Sequence, residues 1–384
     1  MPKKRPNTMA RGSARLAVTV LMAVMALFIV QGTAWAAAPD FATHVDYATG
    51  ATPTDLLVAD FNEDGFDDQA TVDSDDDTLS VLLGNGDGTF DTKVAYAVGD
   101  YPDGIQLGDF NEDGDIDLVS ANTLDNTVSV LLGNGDGTFD TKVDFGTATW
   151  PYKVATDDFD EDGNADLAVT NLDSEAVSVL LGNGDGTFDT KVDYGTGLYP
   201  YGVAATDFDE DDNIDLVVSN FGADTVSVLL GNGDGTFDTK VDYGTGAVPN
   251  QAVVGDFDED GNVDVAVANL DAASVSVLLG NGDGTLDTKV DYTTGIAPFS
   301  LAVADLDGDS ALDLVTGNAS GQYDTVSVLP GNGDGTFDTK ADFDVDSTPF
   351  GVAVGEFNED TRPDVTTANL GGDSVSVLLN TTTP

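Results

Sequence analysis

The sequence predicts an all-β protein: a seven-bladed β-propeller, four antiparallel strands per blade, with its ring closed by the N-terminal strand. Three observations predict it. An acidic nine-residue pattern starts at Asp60, Asp109, Asp158, Asp207, Asp256 and Asp305, 49 residues apart each time, with a weaker seventh copy at Glu356. Each repeat holds four short runs rich in β-branched residues and shows no helical periodicity. The last repeat stops one strand short, at Val375-Ser-Val-Leu-Leu379-Asn380. The missing piece lies at the other end, where Phe41-Ala-Thr-His-Val-Asp-Tyr47 matches Phe90-Asp-Thr-Lys-Val-Ala-Tyr96, 49 residues later.

Taken in order, the chain opens with Lys3, Lys4, Arg5, Arg11 and Arg15, then an apolar run from Leu16 to Val30, then Ala34-Trp35-Ala36. This basic–apolar–small design is that of a secretory signal peptide over residues 1–36, leaving 37–384 as the propeller. A retained anchor is the alternative, disfavoured because the apolar run is short for a membrane span. A secreted chain without cysteine has no disulfide staple, and bound metal is the natural substitute. Loss of the five N-terminal bases would leave 70 acids against eight bases. Such a surface excludes nucleic acid and anionic lipid as partners, and suits a salty medium in which self-repulsion is screened.

Residues 98–145 show the repeat. Pro102 opens the run Gly104-Ile-Gln-Leu-Gly108, which enters the acidic loop Asp109–Asp117. Leu118–Ala121, a polar turn at Asn122–Asn126 and Thr127–Leu132 follow. Gly133-Asn-Gly-Asp-Gly137 is a hairpin signal, and Phe139–Phe145 alternates in period two as the fourth strand. One repeat is two residues longer, at Asn318-Ala-Ser-Gly-Gln-Tyr-Asp324.

The acidic loop places oxygen-bearing side chains at positions 1, 3, 5 and 9 and glycine at position 6. Hard cations take six to eight oxygens at roughly 2.3–2.6 Å, which alternate carboxylates around a sharp turn can supply. An EF-hand would need Glu at position 12, where Thr71 and Ser120 stand. A β-helix calcium array repeats every nine residues, not every 49. A bare acidic turn pays about 4 kcal/mol for each carboxylate pair some 4 Å apart, so a cation is expected, and Ca²⁺ rather than Mg²⁺, which resists all-protein cages.

From about residue 39 to its end the chain resembles FG-GAP/VCBS-type repeats, the family that includes the N-terminal propeller of integrin α chains. The Asp-Phe-[Asn/Asp]-Glu-Asp-Gly-x-x-Asp loops and the Val-Ser-Val-Leu-Leu-Gly-Asn-Gly-Asp-Gly-Thr-Phe runs carry the resemblance. It implies calcium ligation by Asp60, Asn62, Asp64 and Asp68; by Asp109, Asn111, Asp113 and Asp117; and by Asp158, Asp160, Asp162 and Asp166. In the later repeats it implies Asp207, Asp209, Asp211 and Asp215; Asp256, Asp258, Asp260 and Asp264; and Asp305, Asp307, Asp309 and Asp313. The carbonyl at position 7 would add one oxygen. Asp212 and Ser310 replace the glycine at position 6 in two loops. The seventh loop, Glu356-Phe-Asn-Glu-Asp-Thr-Arg-Pro-Asp364, departs further: Thr361 resists positive φ, and Arg362 could neutralise the acids in place of an ion.

His44 occupies a slot filled elsewhere by Lys93, Lys142, Lys191, Lys240, Lys289 and Lys340, an outer-strand basic position rather than a catalytic one. With no cysteine and no second histidine, nucleophilic triads are out, while acid–base carboxylate pairs stay open. Because turns alternate faces, the acidic loops share one face with the Gly-Asn-Gly-Asp-Gly turns. The other face holds the Pro-containing connections, where Tyr101, Trp150, Tyr152, Tyr199 and Tyr201, with Phe299 and Phe350, form either a ligand surface or inter-blade core. The expected function is a secreted, calcium-stabilised, monomeric binding or adhesion module for an extracellular glycan or protein, without enzymatic activity. The alternative is a carbohydrate-active propeller, a polysaccharide lyase or glycoside hydrolase.

Overall fold

The second and third runs of every repeat are nearly all apolar or small, so they suit strands buried on both faces. That is where the computed structural model, which describes residues 39–321 and 324–383, puts them. Leu118, Val119, Ala121 and Val128 are fully buried, with Ser120 and Ser129 between them. The candidate signal peptide lies outside the described residues, among which no helix is long and apolar enough to cross a membrane.

The strands form seven four-stranded antiparallel sheets. We number the blades one to seven from Pro53. Blade one comprises Pro53–Ala59, Asp68–Asp73, Thr78–Leu82 and Val94–Ala97, from the innermost strand outwards. Blade seven takes Pro349–Gly355, Asp364–Asn369 and Ser374–Leu378 from the C-terminal end and Val45–Ala48 from the N-terminal end. Val45 pairs with Val377 and Ala48 with Ser374, and Phe41 bridges to Asn380. The ring closes as the repeat arithmetic requires.

Core forms between blades. Phe61 of blade one meets Phe139 of blade two edge-on at 5.8 Å, and Phe90 of blade one meets Phe357 of blade seven at 5.3 Å. In the blade without its own fourth run, Phe41 joins Leu306 in one cluster. The outermost strands are shorter than expected: Phe139 makes only an isolated bridge to Gly133, and the strand begins at Val143. The Gly-Asn-Gly-Asp-Gly segment is a wider connection than a two-residue hairpin, closed by Asn134 N–H to Thr138 O at 3.0 Å. Lys142 pairs with Asp144 at 2.6 Å on this outer strand, and His44 with Asp46 at 2.7 Å in the equivalent place.

Candidate metal centres and binding face

Each acidic loop joins the first and second strands of a blade, and the loop at Asp158–Asp166 shows how it is built. Asp158 accepts from Asp162 N–H through Oδ1 (3.1 Å) and from Gly163 N–H through Oδ2 (2.9 Å). Asp162 Oδ1 accepts from Asn164 N–H (2.9 Å). The wrap needs left-handed backbone at Glu161 (φ 58°) and Gly163 (φ 97°). Asp212, Ser310 and Thr361 adopt the same positive φ, at 71°, 83° and 67°, so position 6 demands it whatever residue is there.

The ninth residue does more than the pattern announces. Asp166 is fully buried; its Oδ2 accepts from Phe159 N–H (2.8 Å) and its Oδ1 from Gly182 N–H (2.6 Å), stitching the loop to the following turn. Asp68, Asp117, Asp215, Asp264, Asp313 and Asp364 repeat both bonds. Burial raises their carboxyls, the backbone bonds only partly opposing it: Asp166 to about 7, Asp313 to about 8, Asp117 to about 6.

Carboxylate oxygens converge in four loops. One oxygen from each of Asp158, Asp160 and Asp166 lies within 4.8 Å of the others; so do oxygens of Asp207, Asp209 and Asp215, of Asp256, Asp258 and Asp260, and of Asp305, Asp307 and Asp313. In the first two loops Asn62 and Asn111 stand at position 3, and their amides donate to Asp64 and Asp113 at 3.1 and 2.9 Å. The donor set is all oxygen, which suits a hard cation. Asp209 Oδ1 is moreover buried with no hydrogen-bond partner, a group that such an ion would satisfy. These clusters could hold a metal ion.

The loops also sit on the seams. Phe159 O, at position 2 of the third loop, accepts from Gly235 N–H of blade four (2.9 Å), and Phe61 O from Gly137 N–H of blade two (3.0 Å). Ordering a loop therefore orders a blade–blade contact.

On the opposite face the five candidate ligand residues divide. Tyr101, Trp150 and Tyr199 hold one backbone position, just before the proline of blades two, three and four, and are 39, 43 and 41% exposed. All three have positive φ, 57°, 60° and 54°. The preceding blade clamps two of them, through Tyr101 N–H to Asp77 Oδ1 (2.9 Å) and Trp150 N–H to Asn126 Oδ1 (3.0 Å). Tyr152 and Tyr201 follow the core reading of the two. Lying just after the proline, they turn into the ring's central channel, where their hydroxyls bond at 2.9 Å and their rings pack at 4.2 Å. Tyr201 is only 6% exposed and stacks on Phe221, while Phe299 and Phe350 pack at 3.7 Å beside it. These rings form one aromatic cluster across blades three, four, six and seven.

Among the innermost strands lies a group that the sequence reading missed. Lys153 bonds Asp55 at 2.7 Å, and Asp55 also accepts from Ile105 N–H (3.2 Å). The pair reaches over the free inner edge of blade two. With Gln106 and Gln251 it lines a cavity of about 140 Å³, room for a few waters at about 30 Å³ each. The signal was available: Lys153 and Arg362 are the only cations after residue 36 outside the repeated outer-strand slot.

Comparison with known proteins gives fold and family. In solved structures, BBS1N bound to ARL6DN is similar at TM-score 0.63 and 11% identity, covering 90% of this chain and 98% of that one. An Agrocybe aegerita lectin, described for its recognition of non-reducing terminal N-acetylglucosamine, is similar at TM-score 0.59 and 20% identity, covering 87% and 96%. A catalytically inactive virginiamycin B lyase from Staphylococcus aureus, with quinupristin, is similar at 0.60 and 11%, covering 88% and 99%. At these identities the likeness is one of fold. No curated protein matches the chain. The FG-GAP-like repeat matches six overlapping stretches, 60–120, 109–169, 158–218, 207–267, 256–316 and 305–367. With the acidic loop at the start of every match and the propeller closed around them, the chain belongs to the FG-GAP-like repeat family.

Proposed function

We propose that the protein is a secreted, calcium-stabilised binding module that holds an extracellular glycan on the face opposite the metal loops. The observation that carries this reading is the arc of Tyr101, Trp150 and Tyr199, three exposed rings on one left-handed backbone position in consecutive blades, two of them clamped by the preceding blade. Rings held in fixed orientation lose little freedom on binding and stack well on sugar faces. An acidic surface repels polyanions, so the ligand is a neutral or amino-bearing glycan. The similar lectin supports the use of such a scaffold for sugar recognition. Calcium at the first six loops would neutralise their carboxylates, which converge in four of them, and stiffen the seams; residues 1–36 would direct export.

The test is a glycan array with the calcium-loaded mature chain, followed by analysis of the recovered glycan. Intact ligand is expected, with about tenfold weaker binding when Trp150→Ala removes a stacking contact of about 1.4 kcal/mol. Cleaved glycan would make the protein an enzyme. Binding untouched by Tyr101→Ala, Trp150→Ala and Tyr199→Ala together would remove the ligand from this face, and capture of a protein instead would replace the glycan.

A further inference from the structure

The seventh loop keeps the wrap of the other six but contains a cation of its own. Glu356 accepts from Asp360 N–H (3.2 Å) and Thr361 N–H, and Asp360 Oδ1 accepts from Arg362 N–H (3.0 Å), as in the third loop. The Arg362 guanidinium then folds back on Asp360 Oδ2, through Nε at 3.0 Å and through Nη2. Its remaining arm, Nη1, donates to Thr382 O at 3.1 Å.

That carbonyl ties the loop to both ends of the chain. Thr382 Oγ1 accepts from Asp40 N–H (2.9 Å), Thr381 N–H donates to Asp40 O (2.8 Å), and Asn380 N–H donates to Asp364 Oδ1 (2.7 Å). Asn380 Nδ2 reaches Leu306 O (2.8 Å), the position 2 carbonyl of the sixth loop. An asparagine side chain thus makes the seam bond that a turn glycine makes elsewhere.

We infer that Arg362 replaces the metal in blade seven, so that the blade joining the two chain ends is closed without calcium and the chain binds six ions rather than seven. This rests on the calcium reading of the other loops. Three features of the residues favour it. A guanidinium donates in a fixed fork that matches carboxylate geometry, so it can occupy the acids permanently. Thr361 holds a left-handed φ unfavourable to a β-branched residue, and Pro363 restricts Arg362, so the loop is set around the arginine rather than free to tighten on an ion. The location is also apt. Closure by a built-in ion pair lets the ring form before any metal arrives and keeps the terminal strands paired when metal is scarce.

The experiment titrates metal-free mature chain with Ca²⁺ by calorimetry, for the natural sequence and for the double variant Thr361→Gly, Arg362→Asn, which restores the Gly-Asn of the third loop. Hydrogen exchange is followed with Ca²⁺ and in chelator. Six ions are expected for the natural chain and seven for the variant. Amides of Asp360, Thr361 and Arg362 should be equally protected in both media, while those of Asp162, Gly163 and Asn164 lose protection in chelator. Seven ions in the natural chain, or a seventh loop that responds to Ca²⁺ like the third, would overturn the inference. Should no ion bind at all, the calcium reading fails, and exchange alone decides on Arg362. Arg362→Ala must still expose the loop and the pairing of Val45–Ala48 with Ser374–Leu378; unchanged protection would overturn the clasp.

Discussion

Asp166 and its six counterparts show where a residue pattern stops being informative. Oxygens at positions 1, 3, 5 and 9 are legible in the sequence, and so is their suitability for a hard cation. That position 9 also binds two backbone amides is not, because the donors, Phe159 and Gly182, are brought there by the fold. The consequence is separable by mutation. Asp166→Ala orphans two buried N–H groups at about 1–3 kcal/mol each, so it should lower the melting temperature even in chelator. Asp160→Ala relieves carboxylate repulsion and should destabilise only when calcium is present. Equal losses for the two variants in chelator would contradict this division. The same aspartates set a pH dependence for the metal-free protein. Their folded pKa values, about 6 to about 8, lie above the unfolded value near 4. The folded state therefore binds more protons in that window, and stability is greatest at low pH and lost as pH rises through 6 to 8. Melting of the metal-free chain at pH 5 and pH 8 checks the sign; calcium should matter more at pH 8, where protons no longer compete for its ligands.

The blade is the unit that the sequence specifies best, because its two central strands are buried on both faces and its pattern recurs seven times, at 49 residues in all but one interval. Around it the reading loosens. The fourth strand starts late: after Asp140 N–H bonds Leu132 O at 2.7 Å, the ladder resumes only at Val143. Tyr199 and Tyr201 are two residues apart, yet one is 41% exposed and the other 6%. The left-handed backbone of Tyr199 itself and the bulge after Pro200 turn the chain inwards from the rim, and neither has a sequence signature in an aromatic. Tyr201→Ala should accordingly cost about 3–5 kcal/mol, in the range for large-to-small changes in cores, while Trp150→Ala stays within about 0.5 kcal/mol of the natural chain. Comparable losses by chemical denaturation would return Trp150 to the core. Deleting residues 37–48 removes the strand that pairs with Ser374–Leu378 and should give an aggregating or much less stable chain. A truncated chain that melts like the full one would show that the strand does not close the ring.

For the whole molecule the governing fact is charge: 70 acids with few bases, a good share of them converging in loops that bear on blade–blade contacts. The core clusters are each shared by two neighbouring blades, so no blade is stable alone and the ring stands or falls on its seams. Metal held at the loops would act on those seams directly. The proposed ligand arc, by contrast, sits on three of the seven blades, on a scaffold whose fold alone says little of function. The most direct test of the account is calorimetric melting of the mature chain at low salt, in chelator and then with millimolar Ca²⁺. Each occupied site adds ~2.7 kcal/mol at a hundredfold excess over its Kd, so several sites should raise the melting temperature steeply and reversibly. Superimposable melting curves in chelator and in calcium would contradict it.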